Sequence, residues 1–252
     1  MKLSIVIPIY NEEKTITLII EHVIRGIKKL TSIKDYEIVL VEDGSKDNSK
    51  KIIEQNYQNK ANFIIHYQPH NQGKGAALAQ GFQLTTGDVV LVQDADLEYD
   101  PNDYEILLRP FLLNKADVVY GSRFKGEISR VLYFYHYMGN QFLTFLSNVF
   151  TNINLSDMET CYKAFKGPII RSMILTSKRF GIEPEMTAKI SKLPGVKIFE
   201  VPISYDGRTY EEGKKIGWKD GVSALWCIIK FNLFCSYSDS FSRNPHDILK
   251  QD

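Results

Sequence analysis

The sequence predicts an α/β fold, a mostly parallel open sheet flanked by helices, and three observations carry that expectation. Leu3 to Pro8, Glu37 to Val41, Phe63 to Tyr67, Val89 to Gln93 and Val118 to Tyr120 are apolar runs of strand length. The first four are separated by helical-looking stretches, an alternation that reads as parallel strands joined by crossover helices. Each run ends in polar, chemically capable residues: Tyr10-Asn-Glu12, Glu42-Asp43-Gly44-Ser45, Asn71-Gln-Gly73-Lys74-Gly75, Asp94-Ala-Asp96 and Gly121-Ser-Arg123. Ligands of open α/β sheets lie beyond the carboxyl ends of the strands, so one rim is expected to collect all five groups.

The elements follow in order. Thr15 to Lys29 places Ile16, Ile19, Ile20, Val23, Ile24 and Ile27 at helical spacing, a stripe that packs on the sheet. Val131 to Phe150 is dense in aromatics yet interrupted by His136, Asn140, Gln141 and Asn148, which argues against a membrane-spanning helix. A buried helix pair is the favoured expectation there, and an interfacial surface meeting lipid is the alternative. Beyond it the pattern gives a strand at Glu159 to Phe165, helices near Pro168 to Leu175 and Pro184 to Lys192, and a strand at Lys197 to Ser204. A Gly-containing basic loop, Tyr205 to Lys215, and an amphipathic stretch, Val222 to Phe234, follow. The expected organisation is one domain over 1–235, with a polar, mobile tail at 236–252.

Composition excludes several classes. The 252 residues are 44% hydrophobic and 24% charged, enough to bury a full core. With 31 basic against 30 acidic residues the formal charge is +1, which gives no general attraction to nucleic acid, so anion binding must be local. Cys161, Cys227 and Cys235 lack CxxC spacing and leave an odd thiol, which suits a reducing compartment and excludes a Cys-rich zinc site. Met1 to Pro8 is too short for a signal peptide, and no run of about eighteen apolar residues follows. The expected address is cytoplasmic, peripheral on the cytosolic face of a membrane.

The most informative segment is Val89 to Asp100, which sets carboxylates two residues apart at the end of an apolar run. In extended chain alternate residues point the same way, so Asp94, Asp96 and Glu98 are expected to converge on one cation. Hard ions such as Mg²⁺ or Mn²⁺ prefer oxygen ligands and are shared between carboxylates and substrate phosphates. Asp43-Gly44-Ser45 offers a carboxylate for a nucleobase or ribose hydroxyl. Asn71 to Gly75, ahead of a helix, resembles a phosphate cradle, although it lacks the P-loop ending and Leu78 stands where a dinucleotide fingerprint needs glycine. Arg123, Arg130, Arg208, Lys214 and Lys215 could supply donors for phosphates.

The order of these motifs resembles the inverting family-two glycosyltransferases of the GT-A fold, in the branch of dolichol-phosphate mannose synthases and polyprenol-phosphate glucosyltransferases. The resembling residues are Val6-Ile-Pro8-Ile-Tyr10-Asn-Glu12, Val41-Glu-Asp43-Gly-Ser45, Asn71 to Gly75, Gly87-Asp88, Asp94-Ala-Asp96-Leu-Glu98 and Gly121-Ser-Arg123, with the Arg208 to Lys215 loop extending the match. The resemblance implies a Rossmann-like nucleotide-sugar-binding half over 1–123 and an acceptor-binding half over 124–235. It implies that Pro8, Tyr10, Glu12 and Asp43 hold the base and ribose of the donor. Asp94 and Asp96 would hold the cation, with Glu98 where the family often has glutamine. Lys74 joins the donor site, and Arg123, Arg130 and Arg208 grip phosphate, with Lys214 or Lys215 assisting. The implied reaction moves one hexose from UDP-glucose or GDP-mannose, with inversion, to a polyprenyl phosphate, dolichyl or undecaprenyl.

Rival readings remain open at this level. A sugar hydroxyl on a lipid-linked or surface glycan would need a general base, for which Glu185 or Glu183 is the candidate. Sugar-1-phosphate nucleotidyltransfer lacks its Gly-rich basic stretch near the N-terminus. A catalytically silent nucleotide-sugar-binding scaffold is disfavoured by the intact Asp94, Asp96, Arg123 and Arg208. The processive Gln-x-x-Arg-Trp motif is absent, which favours transfer of a single sugar.

Overall fold

A computed structural model describes residues 1–126, 129–131, 133–209, 211 and 217–249. The first half is built from β1 (Lys2–Ile9), β2 (Asp35–Glu42), β3 (Phe63–Tyr67) and β4 (Val89–Val92), linked by α1 (Ile16–Lys29), α2 (Ser49–Asn56) and α3 (Lys74–Leu84). These strands pair in parallel in the order β3-β2-β1-β4. Ile5, Val6, Ile7, Val39, Leu40, Val90 and Leu91 are fully buried, so both faces of the central strands are covered, as parallel sheets require. The apolar stripe of α1 faces this core through Ile16, Ile19, Ile20, Val23 and Ile27.

The second half extends the same seven-stranded sheet through β5 (Val118–Ser122), β6 (Lys163–Lys166) and β7 (Ile198–Pro202). Strand β6 lies between β4 and β5 and runs antiparallel to both. The residues that enter β6 therefore sit at the same rim as those that leave β4 and β5. The expected strand at Glu159 to Phe165 begins only at Lys163, because the preceding loop is tied to other elements. The amides of Ser156 and Asp157 donate to Glu200, and that of Met158 donates to Thr144. The remaining helices are α4 (Tyr104–Leu112), α5 (Phe134–Thr151), α6 (Gly167–Ser172), α7 (Ile182–Ile190), α8 (Trp218–Leu233) and α9 (Pro245–Leu249).

Two expectations are corrected here. The described part of the polar tail, 236–249, is not loose: Ser240 and Phe241 are buried, Phe241 bridges to Met173, and Ile248 in α9 joins the core. Helix α5 is not half of a buried pair. Its buried residues are Thr144 and Ser147, while Phe134, Tyr135, Phe142, Phe145 and Val149 are exposed. Helix α8 packs beside it and exposes Val222, Trp226 and Leu233.

Candidate active site

A cleft of about 1650 Å³ opens at the carboxyl rim of the parallel strands. It gathers Pro8, Tyr10, Glu12, Asp43, Lys74, Asp94, Asp96, Glu98, Arg123, Arg130 and Arg208. Lys214 and Lys215 lie outside the described residues. Glu185 is absent from the lining: it is fully buried and accepts from the Thr176 and Ser177 amides and from Lys189 at 2.7 Å. It fixes the entry to α7, and Glu183, not Glu185, reaches the cleft wall.

The acidic segment departs from the extended geometry expected of it. Strand β4 ends at Val92, and the chain then turns, with Leu97 in the left-handed region at φ 67°. Gln93 holds the turn from beneath, accepting from the hydroxyls of Tyr104 and Tyr162 and donating to the Asp94 carbonyl. The three carboxylates consequently do not meet on one point: Asp94 turns to Lys74, while Asp96 and Glu98 share Arg208. Asp94 accepts from Lys74 at 2.9 Å, whereas Asp96 pairs with Arg208 at 2.6 Å. Glu98 accepts from Arg208 at 3.1 Å and from the Tyr205 hydroxyl at 2.8 Å. Burial, with Asp94 and Glu98 nearby, pushes the Asp96 carboxyl up to about 7 against the pull of Arg208.

Among the described residues no three His, Cys, Asp or Glu side chains converge on one point that could hold a metal. Asp94 and Asp96 nonetheless present hard oxygens in the cleft, each balanced by a cationic side chain, and so suit an ion shared with a substrate's diphosphate. Glu98 does not fit that set, because its oxygens tie the 205–208 segment to the acidic turn.

The other cations are also engaged. Arg123 meets Asp157 in a two-pronged pair, Nε and Nη2 each donating at 2.7 Å. Burial opposes its charge, but Asp157 overcomes that and holds the guanidinium firmly protonated. Asp157, fully buried, is a residue that sequence reasoning missed. Arg130 donates to the Gly207 carbonyl and lies 3.7 Å from Asp206. Lys74 is also 3.7 Å from Glu183, which in turn pairs with the buried Lys163.

Asn71 to Gly75 does not form an open phosphate cradle. The amides of Gln72 and Gly73 donate to Asp43, and the Ala76 amide donates to the Lys178 carbonyl. Gly73 has φ 98°, and a Cβ on Gly75 would collide with the Ser177 carbonyl, so these glycines admit the 177–179 segment over the start of α3. Asp43 is thereby oriented, and burial raises its carboxyl despite those two amides.

The architecture is the GT-A fold, shared with solved structures. One, glucosyl-3-phosphoglycerate synthase from Mycobacterium tuberculosis in complex with Mn²⁺, uridine diphosphate and glucosyl-3-phosphoglycerate, superposes with a TM-score of 0.68 at 18% identity, covering 92% of this chain and 80% of that one. The chain belongs to glycosyl transferase family 2, whose sequence profile matches residues 4–173. It is 27% identical over 214 residues to the undecaprenyl-phosphate 4-deoxy-4-formamido-L-arabinose transferase of Photorhabdus laumondii, covering 84% of this chain and 62% of that protein. It is 30% identical over 245 residues to a dolichyl-phosphate beta-glucosyltransferase of Trichomonas vaginalis, covering 92% and 73%. No helix among the described residues is long and apolar enough to cross a membrane.

Proposed function

We propose that this chain transfers a single hexose, with inversion and with a divalent cation, from a nucleoside-diphosphate sugar to a polyprenyl phosphate at a membrane surface. The observation that carries the reading is the chemical polarity of one cleft. Asp43, Asp94, Asp96 and Arg208 line one part of it, and Tyr133, Phe134, Tyr135, Tyr137 and Leu143 of the α5 region line another. A nucleotide-sugar suits the first part and a lipid-linked phosphate suits the junction.

Pro8, Tyr10, Glu12 and Asp43 would receive the base and ribose, and Asp94 and Asp96 would hold Mg²⁺ or Mn²⁺ against the diphosphate. When bound, the cation supplies charge neutralisation on the departing nucleoside diphosphate. Lys74 and Arg208 balance the same two carboxylates, so incoming phosphate oxygens compete for cations that already stand in the cleft. Arg123 and Arg130, which line the same cleft, would meet the acceptor phosphate, and Asp157 fixes the orientation of Arg123. An oxygen of the acceptor phosphate attacks the anomeric carbon opposite the diphosphate. The new carbon–oxygen bond forms as the old one breaks, and its electron pair leaves on the nucleoside diphosphate. A phosphate oxygen is already ionised and needs no general base, in keeping with the burial of Glu185 away from the cleft.

The test is Mn²⁺-dependent release of nucleoside diphosphate from UDP-glucose and GDP-mannose, with and without a short polyprenyl phosphate. Release stimulated by the lipid is expected, and Asp96→Ala should lower it by about 10²–10³-fold. Donor binding without lipid stimulation would move the reading to a glycan hydroxyl acceptor or a silent binder.

A further inference from the structure

The loop that enters β6 brings one more carboxyl to the rim. Because β6 runs antiparallel between β4 and β5, Glu159 lies between the acidic turn after β4 and Arg123 after β5, and it lines the cleft with Cys161 and Glu183. The neighbouring acids have partners. Asp43 accepts from two amides, Asp94 from Lys74, Asp96 and Glu98 from Arg208, Asp157 from Arg123, and Glu183 from Lys163. Glu159 differs: its Oε1 is shut off from solvent and has no hydrogen-bond partner among the described residues, and the same holds for Oγ1 of adjacent Thr160. An unpaired buried carboxyl oxygen calls for an explanation, and at a cleft wall a partner supplied by the ligand is the one the site offers.

The surroundings select the partner's chemistry. Burial acts on Glu159 most strongly; Glu183 and Asp157 add to it, while Lys163 and Arg123, each already paired with its own acid, act the other way. A second carboxylate on the same wall repels phosphate, whereas a neutral hydroxyl can donate to Glu159 without electrostatic penalty. The position, between the acids assigned to the diphosphate and the arginine assigned to the acceptor, is where the transferred group must lie.

We propose that Glu159 hydrogen-bonds a hydroxyl of the donor's sugar and so sets which sugar the cleft accepts. The inference rests on the donor-site reading above, and the experiment separates the two. Calorimetry in Mn²⁺ compares UDP with UDP-glucose and GDP with GDP-mannose, for the wild type, Glu159→Ala and Glu159→Gln. The expected result is that the sugar adds affinity beyond the bare nucleotide in the wild type. Glu159→Ala should remove about tenfold to a hundredfold of that increment while leaving nucleotide affinity unchanged. Glu159→Gln, which keeps an acceptor oxygen, should restore most of it. Deoxy analogues of the accepted sugar locate the contact, since Glu159→Ala should no longer discriminate at one hydroxyl. An unchanged sugar increment in Glu159→Ala with intact nucleotide binding overturns the role of Glu159 alone. Failure of the wild type to bind any of the four nucleotides overturns the donor site and this role with it.

Discussion

Arg123 and Asp157 form a two-pronged charge pair at the rim, with Asp157 fully buried and both distances at 2.7 Å. Removing one partner of such a pair strands the other in a medium that solvates it poorly. Asp157→Ala is therefore expected to cost about 3–5 kcal/mol, read as a lowered urea midpoint. Replacing both residues with apolar side chains of similar size should recover much of that loss. Glu159 makes a second prediction, in pH. Burial and then Glu183 move its carboxyl from an ordinary 4.5 to about 7, so the folded chain keeps a proton that the unfolded chain releases. Across that window the folded state binds more protons, and stability must fall as pH rises through it. Asp96, raised to about 7, adds a contribution of the same sign. Urea midpoints at about pH 5 and about pH 7.5 should differ less in Glu159→Gln than in the wild type. Which of Glu183 and Glu185 meets the cleft was not legible beforehand, because the helix was expected from Pro184; α7 starts at Ile182, and on it residues two apart cannot face the same wall. Nor was Asp157, because its partner lies 34 residues away and no local pattern announces it.

At the level of elements, the first half reads directly from the sequence because its strands are short apolar runs whose neighbours follow from right-handed crossovers. The insertion of antiparallel β6 between β4 and β5 escaped that reading, since it is decided by contacts between distant segments. So did the divergence of Asp94, held by Lys74, from Asp96 and Glu98, held by Arg208, for alternation holds only while the chain stays extended, and β4 stops at Val92. The start of α3 shows the same non-local logic. The glycines that resembled a phosphate cradle are there to admit the 177–179 backbone, which carries the approach to α7 and so to Glu183. Gly75→Ala is expected to destabilise by about 1–3 kcal/mol through that clash. Gly221→Ala in α8, where a Cβ meets open space, should instead stabilise by roughly 0.5–1 kcal/mol. Thermal melts of the two variants check both signs.

Across the whole molecule, the apolar surface of α5 is inverted relative to an ordinary surface helix, and α8, which buries Ile228 and Phe231, extends it with a few exposed side chains. Helix α5 contains no Asp, Glu, Lys or Arg, buries Thr144 and Ser147, and leaves Tyr135 86% and Phe145 65% exposed. Trp226 on α8 and Phe234 just beyond it continue the surface at 58% and 73%. Exposed apolar patches of this extent mark interaction surfaces, and a membrane interface favours Tyr, Trp and Phe at that depth. The cleft reaches the same surface through Tyr133 to Tyr137. A polyprenyl chain could thus remain in the bilayer while its phosphate enters the polar end. Fully burying a Phe side chain is worth about 1.5–3 kcal/mol, so Phe142→Ser with Phe145→Ser should weaken vesicle binding by about a hundredfold. Both side chains are exposed, so the fold and the affinity for nucleotide should persist. Cosedimentation with liposomes, and turnover of long against short polyprenyl phosphates, would read the effect. The variant should lose activity on long acceptors in vesicles while keeping it on short acceptors in solution. Equal loss on both would assign α5 to the shape of the cleft, and unchanged sedimentation would remove the surface from membrane docking.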